Sequence, residues 1–336
     1  MAIKRRIATE EAFAIPEQFK AYRELGSKMG YHPDLQLWNS ILGKDASYPS
    51  DLEDWLLDLD DRRLRVMDEF GIDMHVLSMT SPGAQILDTD KGTALARLAN
   101  DRLVEIIKQH PDRYAGLASI APQDPKAAVK EIDRAINKLK LNGLIINSHT
   151  NGEYLDEEKY WPILEAASAL KVPLYIHPRG PSPGLQEPFR KYHLETAIWG
   201  YQVETGTHGV RLIMSGVFDR FPDLKIILGH MGEGIPYWLW RIDYMHNSYG
   251  YHSRPKLKHK PSDYFKQNFM ITTSGMNWQP VLQFCQEILG PDNIMFAVDY
   301  PYQQTEGSVR FMDSASLSDR DKNKIYHLNA ERVFGL

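Results

Sequence analysis

The sequence predicts an α/β protein built as a (β/α)8 TIM barrel, with a long insertion after strand one. Eight short apolar segments of strand type alternate with helical segments along the 336 residues. This alternation is typical of a parallel sheet with crossover helices. An open doubly wound sheet is the alternative. A doubly wound sheet would be expected to carry a glycine-rich phosphate-binding turn after an early strand. The sequence contains no G-x-G-x-x-G or Walker pattern, which favours the barrel.

The predicted strands are apolar runs that end at glycine, proline or polar residues. The last of them, 294–298, is a continuous apolar run of the kind found in strands buried on both faces, and it ends at Asp299. In the first strand, Ala8, Glu10 and Ala12 share one face because side chains alternate with a period of two. The eight strands are predicted at 4–13, 73–79, 114–120, 143–147, 173–177, 224–229, 269–273 and 294–298.

Helices are predicted between the strands. The clearest covers 54–70, where Leu56, Leu59, Leu64 and Met67 lie on one face. The others are predicted at 17–25, 92–110, 125–139, 157–170, 194–218, 234–246, 280–289 and 318–334.

A single domain over 1–336 is predicted, because no Pro/Gly/Ser-rich linker interrupts the alternation. The insertion at 14–53 is long and irregular, as lids and interface arms often are. The basic loop at 247–263 is more typical of a solvated surface than of a binding patch.

Composition excludes several classes of function. A formal net charge of −5 and a pI near 6.2 give no electrostatic reason to bind nucleic acid. No apolar run approaches the roughly 18 residues that span a membrane, and the first residues do not resemble a signal peptide. The single cysteine, Cys285, allows no intrachain disulfide and fits a reducing cytoplasm. The many aromatic residues suit an aromatic-lined pocket or a large subunit interface.

Polar side chains stand at the carboxyl ends of four predicted strands. Glu10, His177, His230 and Asp299 come from strands one, five, six and eight, and a closed barrel brings such strand ends together. Oxygen and nitrogen ligands of these types suit Zn²⁺ or Mn²⁺, and a site with few protein ligands leaves positions open for substrate. His149, two residues beyond strand four, is a weaker candidate.

Six short segments carry a resemblance along nearly the whole chain. They are EEAF at 10–13, TSPG at 80–83, APQDP at 121–125, IHP at 176–178, LGHMGE at 228–233 and VDYPY at 298–302. Together they resemble the metal-dependent aromatic acid decarboxylases of the amidohydrolase superfamily. The similarity is greatest to the 5-carboxyvanillate decarboxylase branch, with the γ-resorcylate and 2,3-dihydroxybenzoate decarboxylases as near relatives.

The resemblance implies a set of metal ligands. Glu10, His177 and Asp299 match the ligands of one divalent metal, typically Mn²⁺ in this branch, with Zn²⁺ as the alternative. Hydrolytic members carry His-x-His on strand one, and γ-resorcylate enzymes resemble a Glu-x-His form. This chain has Ala12 at the second position, which favours the decarboxylases and points away from γ-resorcylate.

The resemblance also implies catalytic and substrate-binding residues. His230 and Glu233 correspond to a hydrogen-bonded catalytic pair beside the substrate, and Asp299 to the acid. Arg62 and Arg241 match arginines that hold the substrate, although surface salt bridges are the alternative for both. Tyr302 is a further substrate-binding candidate, with a packed loop aromatic as its alternative.

Arg241 bears on the expected assembly. It lies eight residues beyond Glu233, about 12 Å along a helix, which is too far for it to reach its own metal. We therefore expect Arg241 to enter the site of a neighbouring subunit in a homodimer or homotetramer.

The predicted function is a non-oxidative, metal-dependent decarboxylation of an ortho-hydroxybenzoate such as 5-carboxyvanillate. The small aromatic carboxylic acid gains a ring proton and then loses CO₂. The resemblance implies a role in aromatic compound catabolism, including lignin degradation. One alternative is a hydrolase or hydratase of the same superfamily, in which water attacks the substrate. Another is a non-catalytic barrel in which the same residues form a buried polar network.

Overall fold

Eight parallel strands form a nearly closed barrel in which each strand is hydrogen-bonded to the next in chain order. The computed structural model describes residues 5–28, 32–35, 38, 51–248 and 255–336. The predicted (β/α)8 barrel is confirmed. The strands are β1 Ile7–Phe13, β2 Met74–Met79, β3 Tyr114–Ser119, β4 Gly143–Asn147, β5 Leu174–His177, β6 Ile226–Leu228, β7 Phe269–Thr272 and β8 Ile294–Met295.

The barrel closes through the segment that follows β8. The N–H of Thr9 donates to the carbonyl of Phe296 at 3.1 Å, and the N–H of Ala12 donates to that of Tyr300 at 2.8 Å. The strand predicted at 294–298 is therefore shorter as a regular ladder than expected. Its second half bonds β1 instead, and Asp299 then turns into the left-handed region with φ 73°.

Helices surround the barrel and follow most of the strands. Their bounds are α1 Pro16–Gly26, α2 Leu52–Leu57, α3 Arg62–Glu69, α4 Thr89–Gln109, α5 Pro125–Asp133, α6 Trp161–Leu170, α7 Glu187–Arg190, α8 Gly200–Met214, α9 Val217–Arg220, α10 His230–Glu233, α11 Ile235–Ser248, α12 Pro261–Asn268, α13 Gln279–Leu289, α14 Thr305–Asp313, α15 Asp319–Asn323 and α16 Asn329–Phe334.

Two of the predicted helices are broken in the structure. The helix predicted over 54–70 is wrong as a continuous element, because the Asp58 carboxylate accepts the backbone N–H groups of residues 60–62 and starts α3 anew. The helix predicted over 194–218 is interrupted at Gly216, whose φ of 79° ends the helical path before α9. Helix α14 lies in a stretch for which no helix was predicted.

Two apolar layers hold the barrel. Inside it, buried side chains from successive strands meet above Phe334 of α16, among them Ile7, Val76, Leu117 and Ile227. Outside it, a larger core fills the space between the strands and the helices. This arrangement leaves the carboxyl ends of the strands as the place where polar side chains gather.

Part of the predicted insertion packs against the barrel mouth. Phe19 and Tyr22 of α1 contact Trp38, and Leu52 and Leu56 of α2 join the same cluster. Of the insertion predicted at 14–53, residues 29–31, 36–37 and 39–50 lie outside the described residues, as do 249–254 of the predicted basic loop. Within the described ranges, every helix is too short or too polar to cross a bilayer.

Candidate metal centre and substrate cavity

Three of the predicted strand-end residues meet at the mouth of the barrel. Glu10 of β1, His177 of β5 and Asp299 after β8 place one ligand atom each within 4.8 Å of one another. The Nε2 atom of His177 is 3.6 Å from Oε1 of Glu10. Two carboxylates and an imidazole in such an arrangement form a ligand set for a divalent transition metal.

The two oxygens of Glu10 have different surroundings. Oε2 accepts hydrogen bonds from the hydroxyls of Tyr175, Ser274 and Thr272, the last at 2.8 Å. Oε1 is buried and has no hydrogen-bond partner among the described residues. A buried carboxylate oxygen without a donor is expected to have an unseen partner. The hydroxyls thus fix the carboxylate so that Oε1 is available to a cation.

The ring of His177 is oriented as a metal ligand requires. Its Nδ1 lies 2.8 Å from the carbonyl oxygen of Pro178, so Nδ1–H donates to that carbonyl. The acceptor lone pair therefore belongs to Nε2, which faces Glu10. Metal-binding histidines commonly donate their second ring N–H in this way. The residues present fit a divalent cation.

His230 stands beside this cluster and is paired with Glu233. The Nδ1 atom of His230 is 2.8 Å from Oε1 of Glu233, while Nε2 is 3.8 Å from Oδ2 of Asp299 and 4.0 Å from Oε1 of Glu10. Both members of the pair have left-handed backbone conformations, His230 with φ 48° and Glu233 with φ 54°. Such conformations cost free energy and are concentrated at functional sites.

The buried charges act strongly on one another. Burial opposes the charge on His230, but the carboxylates of Glu233 and Glu10 outweigh it and raise its pKa well above the usual range. Burial raises the pKa of Glu233 and of Asp299. For Glu10 burial acts in the same sense, yet His230 and His177 together lower its pKa. Of the two carboxyl groups in the ligand cluster, Asp299 rather than Glu10 is therefore suited to carry a proton.

A cavity of about 980 Å³ borders this cluster at Asp299. His230, Glu233 and Asp299 line it, and Arg241 of α11 lines it as well. Much of the remaining wall is apolar or aromatic, with Trp199, Trp238, Met214, Met245 and Met276. An apolar cavity with a few convergent polar groups is the usual form of a small-molecule site.

The other predicted substrate-binding residues are placed differently. Arg62 lies with Nη1 3.6 Å from Asp51 and its guanidinium 5.3 Å from the ring centre of Trp55. The hydroxyl of Tyr302 is 2.6 Å from Oγ1 of Thr80. Neither Arg62 nor Tyr302 is among the residues that line the large cavity.

His149 has a structural environment. Its Nε2–H donates to the carbonyl of Gly180 at 3.0 Å, and its Nδ1 accepts the N–H of Gly152 at 3.1 Å. Burial, followed by the nearby Arg179, lowers the pKa of His149 to about 3. Both ring nitrogens are used within the loops, and His149 is not part of the three-residue ligand cluster.

Sequence reasoning missed the three hydroxyls that surround Oε2 of Glu10. Tyr175 lies two residues before His177 on the same face of β5, which was a usable signal. Thr272 and Ser274 lie at the end of β7, the strand-end position next to those of His230 and Asp299. Hydroxyl side chains at that position are a usable signal as well.

A family model described as amidohydrolase matches residues 33–336. The chain belongs to the amidohydrolase family.

This amidohydrolase is similar to proteins with named activities. It is 46% identical to a 5-carboxyvanillate decarboxylase from Sphingomonas paucimobilis, with a TM-score of 0.96 over 100% of both chains. It is 42% identical to the Novosphingobium aromaticivorans enzyme of that name, with a TM-score of 0.95 over 99% of this chain and 97% of the other. That structure contains manganese and 3-methoxy-4-hydroxy-5-nitrobenzoic acid. A γ-resorcylate decarboxylase from Polaromonas sp. is 38% identical over 98% of both chains.

Proposed function

We propose that this amidohydrolase is a carboxy-lyase that removes CO₂ from an ortho-hydroxybenzoate such as 5-carboxyvanillate, without an oxidant. The observation that carries the proposal is the ligand cluster of Glu10, His177 and Asp299, in which Asp299 also lines a cavity with aromatic walls. The similarity to 5-carboxyvanillate decarboxylases over the whole chain points to the same substrate class.

Glu10, His177 and Asp299 would hold one divalent cation, with Mn²⁺ favoured over Zn²⁺ by the manganese in a similar structure. When bound there, such a cation would neutralise the phenolate and carboxylate oxygens of an ortho-hydroxybenzoate. The hydroxyls on Oε2 of Glu10 and the Pro178 carbonyl on His177 hold both ligands in place.

Asp299 is the proposed acid. It lines the cavity, and burial raises its pKa, so that it can carry a proton to the ring carbon that bears the carboxylate. Ring protonation before C–C cleavage avoids an aryl carbanion. The dearomatised ring then loses CO₂ and regains aromaticity, and the new ring hydrogen comes from Asp299.

His230 and Glu233 are proposed to orient the ring substituents and to tune the protonation of Asp299. Nε2 of His230 faces Oδ2 of Asp299 at 3.8 Å, and Glu233 fixes the ring from the other side. Arg62, Arg241 and Tyr302 remain proposed substrate-binding residues. Of these three, Arg241 is the one that lines the large cavity of its own chain.

We also propose that the chain forms a homodimer or homotetramer and that Arg241, although it borders the cavity of its own chain, binds the substrate of a neighbouring subunit. Helix α11, which carries Arg241, exposes 71% of Tyr237, 53% of Trp238 and 74% of Trp240. Trp240 and Tyr244 stack with ring centres 5.3 Å apart on the same surface. Exposed aromatic patches of this kind are typical of subunit interfaces.

The proposal is tested with a panel of hydroxybenzoates at fixed Mn²⁺, following ultraviolet loss of substrate and release of CO₂. We expect turnover of 5-carboxyvanillate, and Asp299→Asn should lower kcat by about 100- to 10,000-fold while substrate still binds. Asp73→Asn is the control, because Asp73 precedes β2 at the opposite end of the barrel. Water addition without CO₂ release would favour a hydratase or hydrolase instead.

A further inference from the structure

The two glutamates at the centre of β1 point to opposite sides of the strand. Glu10 faces the other two residues of the ligand cluster, whereas the fully buried Glu11 faces the segment that closes the barrel. Oε1 of Glu11 accepts the N–H of Val298 at 2.9 Å, and Oε2 accepts the N–H of Tyr300 at 3.0 Å. One carboxylate therefore accepts the backbone N–H groups of the residues before and after Asp299.

Asp299 needs such support because regular sheet structure does not provide it. Strand β8 ends as a ladder at Met295, and Asp299 itself has a φ of 73°, which side-chain-bearing residues seldom adopt. The neighbouring backbone bonds from β1 go to the carbonyls of Phe296 and Tyr300. The N–H groups on either side of Asp299 go to Glu11.

Arg63 completes the arrangement on the outer side of β1. This fully buried arginine donates from Nη2 to the carbonyl of Ala12 at 2.6 Å, and its guanidinium lies 4.6 Å from the ring centre of Tyr300. Burial raises the pKa of Glu11 to about 7, and the positive charge of Arg63 acts in the opposite sense. Glu11 and Arg63 thus both contact the backbone or side chains next to Asp299.

We infer that Glu11 is a positioning residue for Asp299: its carboxylate accepts the backbone N–H groups of Val298 and Tyr300, the residues before and after Asp299, and so fixes the direction of the Asp299 side chain at the candidate metal centre. The two consecutive glutamates on β1 then have different roles at the same metal centre. Glu10 supplies a ligand itself, and Glu11 sets another ligand that lies 288 residues further along the chain. This inference rests on the proposed metal-binding role of Asp299.

The test measures Mn²⁺ affinity of the full chain by electron paramagnetic resonance, together with the melting temperature. In Glu11→Gln the amide NH₂ opposes one of the two N–H groups, so we expect Mn²⁺ to bind about 10- to 100-fold more weakly. Glu131→Gln is the matched control. Glu131, on helix α5 and away from the cluster, is also a buried carboxylate, and it accepts hydrogen bonds from Asn100 and Arg134. The Glu131→Gln variant should have a lower melting temperature than the wild type but the same Mn²⁺ affinity.

A double-mutant cycle with Asp299→Ala separates positioning from general damage to the fold. If Glu11 acts through Asp299, Glu11→Gln should weaken Mn²⁺ binding little further once Asp299 has been replaced. Equal losses of affinity in the presence and absence of the Asp299 carboxylate would overturn the inference. Should Glu11→Gln fail to fold, Glu11→Asp replaces it, with an expected loss of about tenfold.

The outcomes distinguish this inference from the proposed function. Wild-type affinity for Mn²⁺ in both Glu11 variants would overturn the role of Glu11 and leave the decarboxylase proposal standing. A wild-type protein that binds no Mn²⁺ would overturn both.

Discussion

The imidazole of His230 is held by Glu233, with Nδ1 and Oε1 2.8 Å apart, while its other nitrogen faces Asp299. Because the carboxylate raises the pKa of His230, the pair sets both the orientation and the charge of the ring next to the proposed acid. Glu233→Gln should therefore lower kcat by about 100-fold and leave the bound metal in place. Steady-state kinetics and metal analysis check this.

Glu306→Gln provides the control for the Glu233 variant, because Glu306 forms an exposed ion pair with Arg310. Its kcat should equal that of the wild type. An unchanged kcat in Glu233→Gln would contradict the proposed role of the pair.

Gly229 allows the Glu10 carboxylate to occupy its position. A Cβ added to Gly229 would lie 2.7 Å from Oε1 and 2.8 Å from Oε2 of Glu10. Gly229→Ala should therefore displace the proposed ligand and weaken Mn²⁺ binding by about 10- to 100-fold, as measured by metal titration.

Gly184→Ala is the matched control, since a Cβ there meets nothing within 4 Å. Retention of wild-type Mn²⁺ affinity by Gly229→Ala would show that the Glu10 carboxylate is not a ligand in the position seen here.

Because of two buried histidines, we expect the free energy of unfolding to fall steeply in acid. Burial is the main cause that lowers the pKa of His149 and of His208 to about 3. Between roughly pH 6.5 and 3 the unfolded chain takes up protons that the folded chain does not. The stability that these rings contribute is thus present above about pH 6.5 and is lost as the pH falls, by about 1.4 kcal/mol per pH unit for each ring.

Urea unfolding at pH 7, 6, 5 and 4 measures this dependence. His208→Asn should reduce the slope by about 1.4 kcal/mol per pH unit, whereas His193→Asn, at an exposed position, should not change it. The same slope in both variants would contradict the prediction.

Arg241 lines the same cavity as Asp299, yet the helical distance predicts that it acts on a neighbouring subunit. Mixing inactive Asp299→Asn chains with Arg241→Ala chains decides between the two arrangements. If Arg241 acts across an interface, mixed dimers have one complete site. Random pairing should then restore about a quarter of the wild-type activity. The absence of any recovery in chains shown to exchange would place Arg241 in its own subunit's site.

The barrel and the ligand cluster could be predicted from sequence for the same physical reason. Parallel strands in a closed barrel end on one face, so Glu10, His177 and Asp299 had to converge once the eight strands were recognised. For the hydroxyl of Tyr175 the position on the same face as His177 was the one signal, and it is a weaker one because an aromatic residue inside an apolar strand is equally suited to the core.

Other features were decided by local hydrogen bonds that periodicity does not report. The helical pattern over 54–70 is genuine in its apolar spacing, but the Asp58 side chain captures three backbone N–H groups and divides it. Glu11 likewise reads as one more polar strand residue until the backbone of Val298 and Tyr300 is placed beside it. Such contacts join positions far apart in sequence, and only the folded structure brings them together.

The most direct test of the account is the reaction of 5-carboxyvanillate with the Mn²⁺-loaded protein in D₂O. Delivery of a solvent-exchanged proton by Asp299 predicts one molecule of CO₂ per turnover and a phenolic product with a single deuterium at the carbon that lost the carboxylate. A product that retains the carboxylate and has gained the elements of water would contradict it.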